Sequence, residues 1–188
     1  MKNKTDLRIL KTCENIKRTF SQLLLEKSFK EITVQNICDK ALIGRSTFYD
    51  HYYDKYDLLT KMVEEILMEL KPYIQNRFNF ENSQEFVSIG SSMLNYFKNK
   101  KITIQALLSV HTETTDFSAN IKNILVEECS SYLEHTGFKS KFNISNDYIC
   151  YHYASYVLTS FQLWFQFGEN LSSLDLAYEI QDVLFASK

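Results

Sequence analysis

Four glycines and one proline in 188 residues leave this chain little means of building sheet. Ordinary usage would supply about 13 glycines and about 9 prolines at this length. Sheet proteins spend both residues at turns, glycine for positive φ and proline for a preset φ. An almost entirely helical protein is therefore expected, long enough for a substantial core and for a small domain joined to a larger one.

Within that helical frame, Thr33 to Lys55 (TVQNICDKALIGRSTFYDHYYDK) has the layout of two short helices around a tight turn. Thr33 precedes Val34–Lys40 as an N-cap whose hydroxyl can accept from a first-turn amide. Ile37, Cys38 and Ala41 share one side at helical spacing. A turn at Ala41–Gly44 leads into a second helix, expected over Arg45–His51. Phe48 and Tyr52, four apart, supply its apolar face. Arg45, Ser46, Thr47, Tyr49 and Asp50 are left outside the core. A short helix with Arg, Ser, Thr and Tyr at its start suits entry into the major groove, because those side chains bond base edges and phosphates. Lys55, just past it, is placed to clamp a phosphate. On pattern alone, a solvated helical hairpin fits as well.

The run RSTFYDHYYDKYDLL, following ITVQNIC, resembles the DNA-binding segment of the TetR family of bacterial transcriptional regulators. Tyr49, His51, Tyr52, Asp54, Lys55, Leu58 and Leu59 fall on the family's pattern, and the likeness covers about Thr5 to Leu59. It implies phosphate contacts from Thr33, Tyr49 and Lys55. Base-edge or mixed contacts are implied for Gln35, Arg45, Ser46 and Thr47, with His51 packing on the next helix. Two residues depart from the pattern. Leu42 stands where the family has a turn glycine, at a cost on the order of 1 kcal/mol if the turn keeps its shape. Gly44 replaces a Ser or Asn cap. These departures favour an alternative: a helical dimeric ligand-binding or protein-interaction module with a degenerate DNA-binding head.

Charge divides along the same line. Residues 1–61 carry 12 Lys and Arg against 8 Asp and Glu, a net of +4, whereas residues 62–188 carry 9 against 15, a net of −6. The basic part holds the two-helix motif, as phosphate neutralisation requires. Cys13, Cys38, Cys129 and Cys150 form no CxxC pair and are expected as buried thiols rather than disulfides or metal ligands. The chain shows no signal peptide and no apolar run of about 18 residues, so action in the cytoplasm is expected.

Ahead of the motif, Asp6–Glu26 reads as a helix whose Ile9, Cys13, Ile16, Phe20, Leu23 and Leu24 form a covering stripe. Lys17 and Arg18 lie off that stripe, within reach of a phosphate. Phe29 and Ile32 plug the core from the connector. Asp54 opens a fourth helix, with Asp57 in capping-box position, running to about Lys71, where Pro72 either ends it or starts a fresh helix at a first-turn position. Further helices are expected from an Asn82–Glu85 cap to Asn99, over Ile102–Val110, from Thr115 or Asp116 to a stop at Gly137, from Asn146 or Asp147 to Phe167, and from Ser172 to Phe185. Gly90 suggests a close helix crossing or a ligand. The aromatic last third suits a dimer interface over about Asn146 to Phe185, an apolar ligand pocket, or plain core.

Chemistry is not expected. His51, His111, His135 and His152 make no H-x-x-H or H-E-x-x-H pattern, and there is no G-x-S-x-G elbow or Gly-rich phosphate loop. The expected organisation is a head over residues 1–53 and an effector and dimerisation domain over 54–188. Its partners are double-stranded operator DNA, a second copy of the chain and a small-molecule effector, with no metal or cofactor.

Overall fold

The computed structural model describes residues 4–76, 78, 83–140 and 143–167. These form an all-helical chain: α1 Lys4–Glu26, α2 Val34–Ala41, α3 Arg45–Tyr49, α4 Lys55–Asn76, α5 Ser83–Asn99, α6 Lys101–Leu108, α7 Phe117–Thr136 and α8 Asn146–Phe167. A single 3-10 turn, Phe29–Glu31, joins α1 to α2. The expected helix over Ser172–Phe185 and the Asn82–Glu85 cap lie outside the residues whose structure or side chains are described.

Compactness divides the chain into two units, residues 1–66 with 100–117 and residues 67–99 with 118–188, a different partition from a functional division at residue 53. In the first unit, Ile16 and Phe20 of α1, Ile32 of the connector, Ile37 of α2, Phe48 of α3 and Leu58 of α4 are almost wholly removed from water. Each such side chain is worth roughly 1.5–3 kcal/mol of transfer free energy. Edge-on ring contacts from Phe29 to Phe20 (6.3 Å) and to Tyr56 (5.0 Å) tie the connector to α1 and α4. α6 packs along α1 and buries Ile104, Ala106 and Leu107.

The second unit takes the C-terminal part of α4 together with α5, α7 and α8. Leu70, Ile74, Met93, Phe97, Ile121, Leu125, Val157, Leu158 and Phe161 line an apolar cavity among these four helices. Phe97 is its aromatic hub, with ring centroids 3.9 Å from Phe161 and 6.2 Å from Phe165. Gly137 ends α7 at φ 63, and its amide and that of Phe138 return to the Glu134 and Leu133 carbonyls. That is the expected glycine stop, built as a Schellman motif.

Three local expectations need correction. α4 does not end before Pro72 but runs through it to Asn76. Proline removes the bond to the Met68 carbonyl, and Met68 is three-quarters exposed, so water can take the orphaned acceptor. Gly90 makes no close crossing, because a Cβ built there would meet nothing within 4 Å. Asp57 does not return to the Asp54 amide. Its carboxylate accepts from the Tyr53 amide at 2.9 Å, while Asp54 Oδ1 caps α4 from the Tyr56 and Asp57 amides, both at 2.8 Å.

Candidate nucleic-acid interface

The entry to α2 follows the expected chemistry. Thr33 Oγ1 accepts from the Asn36 amide at 3.1 Å, and Asn36 Oδ1 accepts from the Thr33 amide at 3.1 Å, closing a capping box. Lys27 Nζ adds a 2.8 Å bond to the same Asn36 oxygen. At the far end, Leu42 adopts φ 56, ψ 45, the left-handed conformation that favours glycine. Its amide bonds to the Asp39 carbonyl (3.3 Å) and that of Ile43 to the Cys38 carbonyl (3.1 Å), again a Schellman motif. The Ala41 carbonyl is met by Asn15 Nδ2 from α1 at 2.8 Å. The turn therefore keeps the shape that a glycine would have made easy, with the Leu42 side chain 91% exposed.

Gly44 caps α3 through its backbone, with φ −72 and ψ 154. Regular α3 is shorter than expected, ending at Tyr49, but the bonds from the His51 and Tyr52 amides to the Phe48 carbonyl carry the turn onward. Phe48 and Tyr52 are buried as the spacing predicts. Burial also pushes the Tyr52 phenol far above the ordinary tyrosine range. This anchoring leaves Arg45, Ser46 and Tyr49 exposed and Thr47 half-buried, with the Tyr49 ring edge-on to Phe48 at 5.6 Å.

Arg45 and Gln35 are brought together. Arg45 Nε donates to Gln35 Oε1 at 2.5 Å across the turn, and Gln35 Nε2 donates to Asp39 Oδ1. Burial pushes the Cys38 thiol up, and the Arg45 guanidinium beside it partly opposes that shift.

Lys55 has its ammonium engaged within the first unit. Its ammonium donates to the carbonyls of Phe29 (2.8 Å), Lys30 (3.2 Å) and Ile32 (2.8 Å) and sits 4.6 Å from the Phe29 ring centre. Burial draws its pKa below the usual lysine value, and Asp54 opposes that. Lys17 is likewise engaged, with its ammonium on Glu65 Oε1 and Oε2 at 2.8 and 2.6 Å. Burial lowers its pKa, but the bond to Glu65 and the attraction of neighbouring groups outweigh burial and leave it raised. Arg18 bonds to Asn15 within α1 at 3.1 Å. His51 lies ring to ring with Tyr52 at 6.3 Å, and its carbonyl accepts from Lys61 of α4 at 3.3 Å.

Two residues at this surface were not singled out by sequence reading: Tyr53, 88% exposed just beyond α3, and Asp39, the far end of the Arg45 chain. The doubled tyrosine at 52–53 was the available signal, because only one of two neighbours can face the core. Among the described residues no group of three or more His, Cys, Asp or Glu could hold a metal ion. No described helix is long and apolar enough to cross a membrane.

No protein-family model matches the chain. It is 32% identical over 95 residues to an uncharacterized HTH-type transcriptional regulator, YxbF, of Bacillus subtilis (strain 168), covering 47% of this chain and 25% of that protein. It is 28% identical over 108 residues to the transposon Tn10 TetC protein of Escherichia coli, covering 52% of this chain and 55% of that one. The chain thus spans about a quarter and about half of these curated relatives. Among solved structures it is similar to a putative TetR-family transcriptional regulator from Syntrophomonas wolfei, with TM-score 0.68, 15% identity and coverage of 93% and 95% of the two chains. A gamma-butyrolactone receptor (ArpA-like protein) gives TM-score 0.57 at 13% identity over 92% and 95%. The dihydroxyacetone kinase operon activator DhaS gives 0.54 at 18% over 93% and 94%. The all-α fold is that of the TetR-type regulators.

Proposed function

We propose that this chain, with the fold of the TetR-type regulators, is a ligand-responsive transcriptional repressor that binds a two-fold symmetric operator as a homodimer in the cytoplasm. The observation that carries the reading is the exposed start of α3. Arg45, Ser46 and Tyr49 face solvent on a helix held from behind by Phe48 and Tyr52, within the part of the chain that is net positive. Such a helix offers base-edge and phosphate donors without disturbing its own core. Thr33, Thr47 and Tyr49 complete the DNA face. Lys55 joins it through its charge, while its donors brace the connector.

Dimerisation is proposed through the C-terminal helices. Tyr148, Tyr151 and Leu163 are exposed apolar side chains on α8, and a second copy would place two recognition helices about 34 Å, or a multiple, apart. The effector would enter the cavity lined by Leu70, Phe97 and Phe161. It would lower DNA affinity only by its preference for one of two conformations, and α4 divides its length between the two units.

The test is selection of bound fragments from a random duplex pool by the purified protein at moderate salt. A two-fold symmetric motif, with log-linear loss of affinity as salt rises, is the expected result. An absence of enrichment together with no salt-dependent binding would refute it.

A further inference from the structure

Gln35 has both ends of its amide committed. Gln35 and Asp39 are four apart on α2 and so share a face. Gln35 Nε2 donates to Asp39 Oδ1, which orients the amide so that Oε1 points across the turn. There it accepts from Arg45 Nε at 2.5 Å. An amide held in this way keeps one N–H and one lone pair, but turning it onto adenine N6 and N7 would compete with both of its present bonds. Of the bonded pair, Arg45 keeps the freer donors for a base. A guanidinium has five N–H donors in one plane, and with Nε engaged the side-on approach is closed. The two Nη groups then form the remaining fork, matched to the O6 and N7 acceptors of guanine. Because an amide stands between them, the Asp39 carboxylate orients the arginine without neutralising it; among the described residues Arg45 makes no ion pair.

We infer that Asp39 and Gln35 are positioning residues that set Arg45 to read one guanine in each operator half-site, end-on through Nη1 and Nη2. This inference rests on the DNA-binding reading above and specifies the base that reading recognises.

The experiment takes the duplex enriched by the full-length protein and measures affinity for it and for versions with each base pair replaced in turn. It uses wild type, Arg45→Ala, Gln35→Met and Gln35→Glu. A good bidentate pair discriminates by about 10- to 100-fold. Wild type should show that preference for guanine at one position per half-site, and Arg45→Ala should abolish it there alone. Gln35→Met, similar in length but unable to accept from Nε, should cut the preference several-fold at that same position. Readout at the other positions of the half-site should be unchanged. Gln35→Glu, which keeps an acceptor for Nε, should retain more of the guanine preference than Gln35→Met, but its charge repels Asp39 and pairs with the guanidinium, so its overall affinity should fall. The relay is overturned if Gln35→Met leaves the preference intact, or if it alters readout at a different base pair, which would make Gln35 a direct reader. No enriched motif would overturn the DNA-binding reading, and the relay with it, before any variant is examined.

Discussion

Replacing Leu42 by glycine should stabilise the first unit, and the structure allows the size of the gain to be worked out. At φ 56 and ψ 45, Leu42 is in the left-handed region, where a side chain bearing Cβ costs roughly 1–2 kcal/mol. Its side chain is 91% exposed, so removing it forfeits almost no buried area. Glycine gives back about 0.4–1 kcal/mol through the greater freedom of its unfolded chain. The difference leaves a gain of about 0.5–1 kcal/mol. Leu42→Ala is the control, since alanine loses the same side chain but pays the same conformational cost and should be nearly neutral. Urea denaturation followed by far-ultraviolet circular dichroism measures both. With a slope of about 1–3 kcal/mol per molar, the glycine variant's midpoint should rise by a few tenths molar, with its slope unchanged. Equal midpoints for the glycine and alanine variants would show that the backbone at residue 42 stores no such energy and would sink the reasoning.

Other outcomes follow from the same kind of argument. Lys55→Met removes a cation bonded to three connector carbonyls and should destabilise the head by about 1–3 kcal/mol in denaturation; a loss confined to DNA affinity would mean that the ammonium serves phosphate instead. Lys61 and the Tyr53 amide hold the Asp57 carboxyl below its ordinary 3.8. Its contribution is therefore present above that pH and lost as pH falls through the lower folded value. Asp57→Asn should be less stable than wild type near pH 6, with the gap closing in acid; a gap independent of pH refutes the assignment. Gly90→Ala meets open space within α5 and should stabilise by about 0.5–1 kcal/mol, read as a rise in the thermal midpoint.

The parts of the fold that were legible in sequence rest on local rules. Thr33 capping α2, Gly137 ending α7, and Phe48 with Tyr52 forming one buried face each depend on residues within a turn or so of one another. What was not legible depends on where distant backbone ends up. Lys55 read as a phosphate clamp from its place just past the second helix; the carbonyls it bonds lie 23 to 26 residues earlier. Lys17 meets Glu65 across 48 residues. Arg45 and Gln35, ten apart, were both named as DNA contacts, but their bond to each other arises only once the Leu42 turn folds α3 back beside α2. Pro72 misled in the opposite way, because α4 continues through it to Asn76 despite the local rule for ending helices.

The first compact unit is not one continuous piece of chain, since α6, at residues 101–108, supplies part of the cover for α1. A fragment cut at residue 66 would carry α3 but leave bare the part of α1 that α6 packs along, and such a fragment should aggregate or melt early. Chimeras that exchange this unit between proteins of the same fold would have to move two stretches together or rebuild the α1–α6 contact in the recipient. On the ribosome the head cannot be completed until α6 has also emerged, so for the span of some forty residues after α4 begins its second half, α1 must wait uncovered.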